Sequence, residues 1–260
     1  MSYFEIPKLT RSVWKIWLRN KDVFMKTYKV NFIPPFLQPV LYLLALGFGV
    51  GAFVDEIDGM SYPRFIAPAL IAISIMNTSF FECTFASYVR MYYQKTFDAI
   101  IATPISIEEV IAGELLWGAT RSTINTVIIL PVLAAFGVIE FPSSLLVIPF
   151  SFIAGLLFAT IGMCFTAISP NIDSLNYPTF LFITPMFLFS GTFFPLSLLP
   201  VSLQYFAIAA LPLTHVVIIV RSLTFADPSG FIPVSLAWII LFSLIFFILS
   251  INLMKKRLIV

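Results

Sequence analysis

Six segments of this sequence are each long and apolar enough to cross a lipid bilayer. They comprise residues 32–54, 64–88, 108–137, 143–168, 177–195 and 231–254. A helix rises about 1.5 Å per residue, so about 20 apolar residues span the hydrocarbon core. Backbone polar groups find no water there, and a helix pairs them within its own segment. The segments therefore predict an all-α integral membrane protein with six transmembrane helices.

The remaining composition narrows the function classes. Only 11% of the 260 residues are charged, whereas an ordinary soluble domain has about a quarter. No glycine is followed by lysine, so the phosphate-binding loop of nucleotide hydrolases is missing and another polypeptide must bind any ATP and Mg²⁺. The predicted outer connections are poor in the charged groups that a membrane-embedded glycosyl or acyl transferase needs, and such an enzyme is the alternative. We predict a protein that is not itself an enzyme, with no resident cofactor and no nucleic-acid partner.

The first 30 residues form a separate cytoplasmic segment in this prediction. Residues 3–19 have helical periodicity, with an apolar side that includes Trp14 and Trp17. The other side carries Lys8, Arg11, Lys15 and Arg19. Tryptophan opposite basic residues is typical of an amphipathic helix that lies flat in the headgroup layer. A surface helix on a small soluble cap is the alternative.

Residues 196–226 are apolar but interrupted by proline. Pro195, Pro200 and Pro212 divide them into pieces of about 11 and 13 residues, too short to cross a bilayer, and proline breaks the helical hydrogen-bond ladder at each junction. We predict two half-helices, residues 201–211 and 213–225, that enter the outer leaflet and return as a re-entrant pair between the fifth and sixth crossings.

The distribution of basic residues supports six crossings. Membrane proteins carry an excess of lysine and arginine in their cytoplasmic connections. A cytoplasmic N-terminus leaves Arg64 and Arg221 outside and places twelve basic residues inside. These twelve are Lys8, Arg11, Lys15, Arg19, Lys21, Lys26, Lys29, Arg90, Lys95, Lys255, Lys256 and Arg257. A seventh crossing would put the last three outside, so we predict that both termini are cytoplasmic.

His215 is the only histidine in the sequence and falls in the first turn of the second half-helix. A metal site needs several ligands, and no second histidine is available. Polar side-chain tips at the membrane interface commonly serve as anchors. We therefore expect His215 and Arg221 to anchor the re-entrant pair near the outer interface. Direct contact with an exported polar group is the alternative.

Away from the segment ends, three ionisable residues lie inside predicted spanning helices, where each costs about 2.5–3.5 kcal/mol on insertion. They are Glu82 in the second helix and Glu114 and Arg121 in the third. Glu114 and Arg121 are seven positions apart, which places both on one helical face. A Glu82–Arg121 pair can form if the two helices are adjacent. Such a pair is either a charge-neutralising brace or a polar gate along a substrate path.

The connection between the second and third crossings predicts a short helix at residues 94–102. The Thr103-Pro104 step ends it, and Ser106 with Glu109 forms a capping box that starts the next helix. We expect this short helix to dock on a cytoplasmic partner; a solvated connector is the alternative. The residues expected to make the contact are Lys95, Phe97, Asp98 and Ile101.

Several stretches resemble a known family. They are FLQPVLYLLALGFGVG (36–51), FECTFASYVR (81–90), KTFDAIIATPISIEEVIAGELLWGATRS (95–122), FLFSGTFFPLSLLP (187–200) and LPLTHVVIIVR (211–221). Together they resemble the permease subunits of type-2 ABC exporters, in particular the NodJ-like permeases that export lipo-oligosaccharides. The resemblance covers nearly the whole chain, and residues 95–122 are its most specific part.

The resemblance implies a single transmembrane domain over residues 31–260, in a prokaryotic inner membrane, that forms a homodimer with a second copy. A cytoplasmic ABC ATPase dimer would dock on residues 94–103 and on the 169–176 connection, which contains Asp173. The substrate would be an amphiphile, such as a lipo-oligosaccharide or a lipid-linked glycan, handled in contact with membrane lipid. A multidrug or antibiotic efflux permease of the same superfamily is the alternative.

Overall fold

A computed structural model describes residues 5–54, 56–57, 59–226 and 230–259 of the chain. Throughout these ranges the regular secondary structure is helical, apart from one isolated bridge between Ile57 and Met60. The predicted all-α fold is therefore confirmed.

We number the helices in chain order. They are α1 (Ser12–Lys26), α2 (Tyr28–Ala52), α3 (Tyr62–Tyr93), α4 (Thr96–Ile101), α5 (Ile107–Ala135), α6 (Ser143–Ile168), α7 (176–189), α8 (Val201–Ala210), α9 (Pro212–Phe225) and α10 (Ile232–Leu258). Within the described ranges, α2, α3, α5, α6 and α10 are each 25 to 32 residues long and apolar enough to cross a membrane. These five correspond to the first four predicted crossings and the last.

Helix α6 lies at the centre of the bundle and packs against α3, α5 and α10. Its glycines explain how closely the helices approach one another. A Cβ at Gly155 would lie 2.0 Å from Ser122 Oγ of α5, and one at Gly162 would lie 2.8 Å from the carbonyl oxygen of Phe80 in α3. Small residues at such crossings are the usual basis of helix packing in lipid, where hydrophobic association is weak.

The chain ahead of α1 and the last turns of α10 meet at one end of the bundle, which we call the terminal end. Lys255 Nζ of α10 lies 2.6 Å from the carboxylate of Glu108, at the start of α5. The backbone amide of Lys8 donates to the same carboxylate, also at 2.6 Å. Both ends of the described chain therefore lie on the same side of the bundle.

The other end of the bundle holds the bent helix pair. Arg64, at the start of α3, pairs with Glu140 after α5 at 2.6 Å. The backbone amide of Glu140 donates to the carbonyl oxygen of Thr224 in α9. Helices α8 and α9 are bent by 88° across Leu211, with Pro200 directly before α8 and Pro212 as the first residue of α9. Proline suits the first position of a helix because its missing amide would be unpaired there. The predicted pair of half-helices is confirmed.

The fifth crossing is shorter than the predicted 177–195. Helix α7 runs over 176–189, with a π-helical stretch at Thr179–Ile183. It ends because the chain turns at Gly191, which has a φ of +72°. Arg221 Nη2 of α9 donates to the carbonyl oxygen of Gly191 at 3.2 Å, so the chain has reached the far end by that point. Helix α10 then returns to the terminal end.

The N-terminal amphipathic helix differs from its predicted bounds. Helix α1 covers Ser12–Lys26 instead of residues 3–19, and residues 5–10 have no regular secondary structure. Tyr3 and Phe4, where the prediction began, lie outside the described residues. Pro7 disfavours helical geometry in the residue before it. The Thr10 hydroxyl and amide both donate to Glu109, and these bonds hold this segment against α5.

Candidate functional site

Helix α1 is attached to α5 by a row of specific contacts. Ile16 packs against Gly113, where an added Cβ would lie 2.5 Å from the Ile16 Cβ. Trp17 Nε1 donates to Thr120 Oγ1 at 2.8 Å, and its ring meets Trp117 edge to face at 6.2 Å. Trp14 stacks on Trp17 and is 55% exposed. Of the two predicted interface tryptophans, Trp17 therefore packs on α5 and Trp14 faces outward.

The buried carboxylate of Glu114 is the centre of a polar cluster at the α1–α5 contact. Its side chain has no exposed surface. It accepts hydrogen bonds from Asn20 Nδ2 of α1 at 2.7 Å and from Ser87 Oγ of α3 at 2.9 Å. Arg90 Nη2 of α3 forms an ion pair with the same carboxylate at 2.6 Å. A buried charge needs such pairing and hydrogen bonding to offset its desolvation.

Arg90 also binds the second carboxylate of the cluster. Its Nη1 lies 2.8 Å from Glu82 Oε1, eight residues earlier in α3. Arg90 was predicted to follow the second crossing in a connection, but it lies within α3, which continues to Tyr93. The uninterrupted run of residues up to Gln94, without proline or glycine, is the signal that pointed to a longer helix. Two π-helical stretches, Glu82–Ala86 and Val89–Tyr93, widen the turns between the paired groups, a local geometry frequent at functional sites.

The Glu82–Arg121 pair considered from the sequence is present as a longer contact. Arg121 Nε lies 3.5 Å from Glu82 Oε2. The same guanidinium lies 4.6 Å above the ring of Phe24 in α1, and its Nη2 donates to Asn31 Oδ1 at 3.5 Å. Glu114, which was expected on the same face as Arg121, makes its ion pair with Arg90. The structure therefore brings all three predicted residues together around an arginine that the prediction missed.

A cavity of about 420 Å³ opens beside this cluster. Its polar lining includes Arg19, Asn20, Asn31, Glu82, Arg90, Gln94 and Arg121. Phe24, Phe85 and Trp117 add an aromatic wall. The cavity lies where α1, the start of α2, the end of α3 and the first half of α5 meet, toward the terminal end of the bundle. We call it the arginine cavity.

His215 is more deeply placed than the sequence suggested. It is 2% exposed, so it contacts the half-helices from within the bundle instead of presenting its tip at the surface. Its Nε2 lies 2.8 Å from the carbonyl oxygen of Ile208 in α8, and its Nδ1 lies 3.1 Å from Ser235 Oγ in α10. The imidazole stacks on Trp238 at 4.6 Å. Because the α8 carbonyl only accepts, Nε2 carries a proton, and His215 joins both half-helices to α10.

Arg221 braces the same end of the bundle. Its Nη2 donates to the carbonyl oxygens of Gly191 and Phe65, and its guanidinium lies 4.2 Å above the Phe65 ring.

Pro195 precedes the short helical turn Leu196–Leu198 that leads into α8. Among the described residues, no three His, Cys, Asp or Glu side chains converge to hold a metal ion.

Helix α4 presents a different face from the one predicted for docking. Phe97 has no exposed surface and packs in the core of the terminal end, so it cannot fill a groove on a partner. Ile101 is half-buried. The exposed residues between 94 and 104 are Gln94, Lys95, Asp98, Ala99, Ala102, Thr103 and Pro104. Lys95 has a φ of +52° and lies 3.7 Å from Asp98.

The 169–176 connection is held in place by residues that sequence reasoning missed. Arg257 of α10 donates to the carbonyl oxygens of Thr166 and Ser169, and Tyr88 of α3 donates to that of Pro170 at 3.0 Å. Asp173 is exposed at the start of a short helical turn, Asp173–Leu175. The connection therefore stands at the terminal end in a fixed position, on the same side of the bundle as α4.

Comparison with known proteins agrees with this arrangement. A profile of the family described as ABC-2 type transporter matches residues 11–225. Nodulation protein J of Rhizobium leguminosarum bv. viciae is 33% identical over 94% of this chain and 93% of its own length. Nodulation protein J of Sinorhizobium fredii is 31% identical over 94% and 92%. The inner membrane transport permease YadH of Escherichia coli is 24% identical over 71% and 72%.

Proposed function

Because this chain belongs to the ABC-2 type transporter family, we propose that it is the permease subunit of an ATP-driven exporter. Two copies would enclose the path, and a separate cytoplasmic ATPase dimer would bind and hydrolyse ATP with Mg²⁺. The substrate would be an amphiphile with sugar and acyl parts, in line with the similarity to nodulation protein J over nearly the whole chain.

The observation that carries the proposal is the arrangement of the terminal end. The terminal end brings together both described chain ends, the exposed face of α4 and the 169–176 connection. Most of the basic residues of the chain are in α1, the two chain ends and the residues just before α4, which by the positive-inside rule supports a cytoplasmic terminal end. The bent pair α8–α9 then lies on the outer side.

Two rigid elements at this end would receive the ATPase. Phe97 is buried against the subunit's own core and fixes α4, while the capping box of Ser106 and Glu109 starts α5 directly after it. A displacement of the exposed α4 residues would therefore be transmitted to α5, because no flexible segment separates the two helices. Arg257 and Tyr88 would give the 169–176 connection a similar stiffness.

Co-purification with the ATPase subunit tests this proposal. The chain and a candidate ABC ATPase, chosen from the neighbouring gene, are co-expressed, purified in detergent and reconstituted into liposomes. We expect a stable complex whose ATP hydrolysis rises when glycolipid amphiphiles are added. A chain that binds no ABC ATPase, or whose complex moves no amphiphile with ATP, would refute the proposed function.

Cysteine labelling tests the orientation separately. In a variant without Cys83 and Cys164, single cysteines are placed at exposed Thr103 and at exposed Ser197. An impermeant thiol reagent added to intact cells should label Ser197→Cys and spare Thr103→Cys until the membrane is opened. The reverse pattern would place the terminal end outside and exclude docking of a cytoplasmic ATPase there.

A further inference from the structure

The arginine cavity has the dimensions and lining of a ligand site. Its volume of about 420 Å³ lies within the range of small-molecule pockets. Exposed side chains of Val23, Thr27 and Gln94 frame its mouth, and aromatic rings form part of its wall. It is far larger than the polar cluster needs for its own hydrogen bonds.

The charges around the cavity do not cancel. Three guanidinium groups, those of Arg19, Arg90 and Arg121, line it. Two carboxylates oppose them: Glu82 in the lining and the buried Glu114 behind Arg90. Arg90 is engaged by both carboxylates and Arg121 lies 3.5 Å from one of them, Glu82, so three guanidinium groups share two carboxylates. One positive charge is in excess in a partly desolvated place, a situation that an anion relieves.

Arg121 carries the hydrogen-bond donors that such an anion would use. Arg121 lines the cavity, and its Nε, 3.5 Å from Glu82 Oε2, and its Nη1 form no hydrogen bond among the described residues. The Phe24 ring stacks against the guanidinium, 4.6 Å from its central carbon. A planar guanidinium binds the oxygens of phosphate, sulfate or carboxylate groups in pairs.

An apolar surface continues from the cavity along α2. Asn31 lines the cavity, and the following residues Phe32, Ile33 and Phe36 are 48–60% exposed on a helix that is long and apolar enough to span a bilayer. An acyl chain attached to a group in the cavity would lie on this surface within the hydrocarbon. The site therefore suits a molecule that is anionic at one end and apolar at the other.

We propose that the arginine cavity binds the anionic headgroup, a phosphate or sulfate ester, of the amphiphile that the chain transports. This inference rests on the proposed function, whose substrate class it narrows from amphiphiles in general to anionic ones. Arg121 and Arg19 hold the headgroup, while Arg90, fixed between Glu82 and Glu114, holds the cavity in shape.

Binding of defined lipids to the purified full chain tests the headgroup chemistry. Phosphatidylglycerol, phosphatidylcholine with the same acyl chains, and inorganic phosphate are compared in neutral detergent by native mass spectrometry and by the shift in Tm. We expect phosphatidylglycerol to bind at least tenfold more tightly than either of the others. Equal binding of the zwitterionic lipid would overturn the anionic site, and equal binding of inorganic phosphate would overturn its assignment to an amphiphile.

Matched variants tie the binding to this cavity. Arg121→Gln should weaken phosphatidylglycerol binding by about tenfold or more, as the loss of a charged hydrogen bond does. Arg64→Gln removes the same charge at the other end of the bundle and should leave binding within about twofold. If Arg121→Gln does not fold, Val23→Trp decides, because it fills the mouth and keeps every charge. Equal losses in Arg121→Gln and Arg64→Gln, or unchanged binding in Val23→Trp, would overturn the site.

A transport measurement distinguishes substrate from resident lipid. Proteoliposomes containing the chain, its ATPase and a fluorescent phosphatidylglycerol are supplied with ATP, and the label's accessibility to an impermeant quencher is followed. ATP-dependent movement that Val23→Trp abolishes supports the substrate assignment, whereas ATP-dependent movement of a neutral glycolipid, with no movement of any bound anionic amphiphile, overturns it. Transport that persists without selective anion binding refutes this inference alone, and selective binding without any ATP-driven transport refutes the proposed function alone.

Discussion

Arg90 of α3 and Glu114 of α5 are joined by a 2.6 Å ion pair in which the carboxylate has no exposed surface. The pair links the two helices at the point where α1 crosses them, because Asn20 of α1 binds the same carboxylate. Loss of Arg90 leaves Glu114 buried without a counter-charge, and loss of Glu114 leaves Arg90 with Glu82 in place of two carboxylates. The α1–α3–α5 junction therefore depends on both residues being present.

Neutralising either member of this pair should destabilise the chain. Removing one partner of a buried ion pair costs about 3–5 kcal/mol, whereas replacing both is often nearly neutral. We expect Glu114→Gln and Arg90→Gln each to lower Tm in detergent by several degrees, and the double variant to recover part of the loss. Losses that simply add would show that the two residues are not energetically coupled.

An exposed ion pair provides the control for this cycle. Lys95 and Asp98 are 3.7 Å apart and both more than half exposed, and such pairs contribute little. Lys95→Gln and Asp98→Asn should leave Tm almost unchanged, singly and together. A Tm loss here as large as that of Glu114→Gln would mean that the assay reports charge removal in general.

The longer Glu82–Arg121 contact should couple more weakly. The two groups are 3.5 Å apart and Arg121 forms no hydrogen bond with Glu82, while Arg90 already satisfies Glu82 at 2.8 Å. In the same Tm assay the coupling energy of Glu82→Gln with Arg121→Gln should be smaller than that of Arg90 with Glu114. A larger value would show that the brace considered from the sequence is the principal one.

The apolar segments and prolines of the sequence were enough to predict most of the fold. Hydrophobic length located the crossings that became α2, α3, α5, α6 and α10, and Pro200 and Pro212 marked the two half-helices. Both signals are local, since a bilayer demands a minimum apolar length and proline breaks a helix wherever it stands. The end of the fifth crossing was missed because it depends on the turn at Gly191.

The candidate site was predicted less completely, since its geometry depends on contacts between distant segments. Sequence reasoning found Glu82, Glu114 and Arg121 because charges are conspicuous in apolar helices. It missed Arg90, whose position at the end of α3 looked like a connection to the solvent. It also placed Phe97 on a docking face, although helical spacing alone does not say whether a residue faces a partner or the subunit's own core.

The crossing of α1 and α5 at Gly113 should tolerate no side chain. An added Cβ would lie 2.5 Å from Ile16 Cβ and 3.1 Å from the carbonyl oxygen of Val13, so the backbones would have to separate. Gly113→Ala should detach α1, which limited proteolysis of the N-terminal segment detects. Gly230→Ala, where an added Cβ meets nothing within 4 Å, is the control. Equal protease resistance of Gly113→Ala and the parent chain would contradict the packing of α1 on α5.

His215 should matter more for stability than its suggested interface position implied. His215→Gln loses the stacking on Trp238 and cannot bond the Ile208 carbonyl and Ser235 hydroxyl in the same geometry. Each buried hydrogen bond contributes about 1 kcal/mol, and the aromatic contact about as much again. We expect a clear fall in Tm and faster hydrogen exchange in α8, against no change for Tyr205→Phe at a 71% exposed position of α8. Unchanged exchange would mean that His215 does not hold the half-helices to α10.

Substitutions on the exposed face of α4 should affect ATPase docking, whereas substitutions on its buried face should affect the stability of the chain. Ala102→Arg adds a long charged side chain to the exposed face, so it should prevent co-purification of the ATPase while leaving Tm of the chain unchanged. Phe97→Ala empties a site in the core and should cost about 3–5 kcal/mol of stability, lowering Tm before any effect on docking. Thr103→Ala, a small change in the same exposed segment, is the control for both measurements. If Ala102→Arg kept full ATPase binding and Phe97→Ala abolished it with no fall in Tm, the docking face would be the one that the sequence suggested, and Phe97 would have to leave the core to reach its partner.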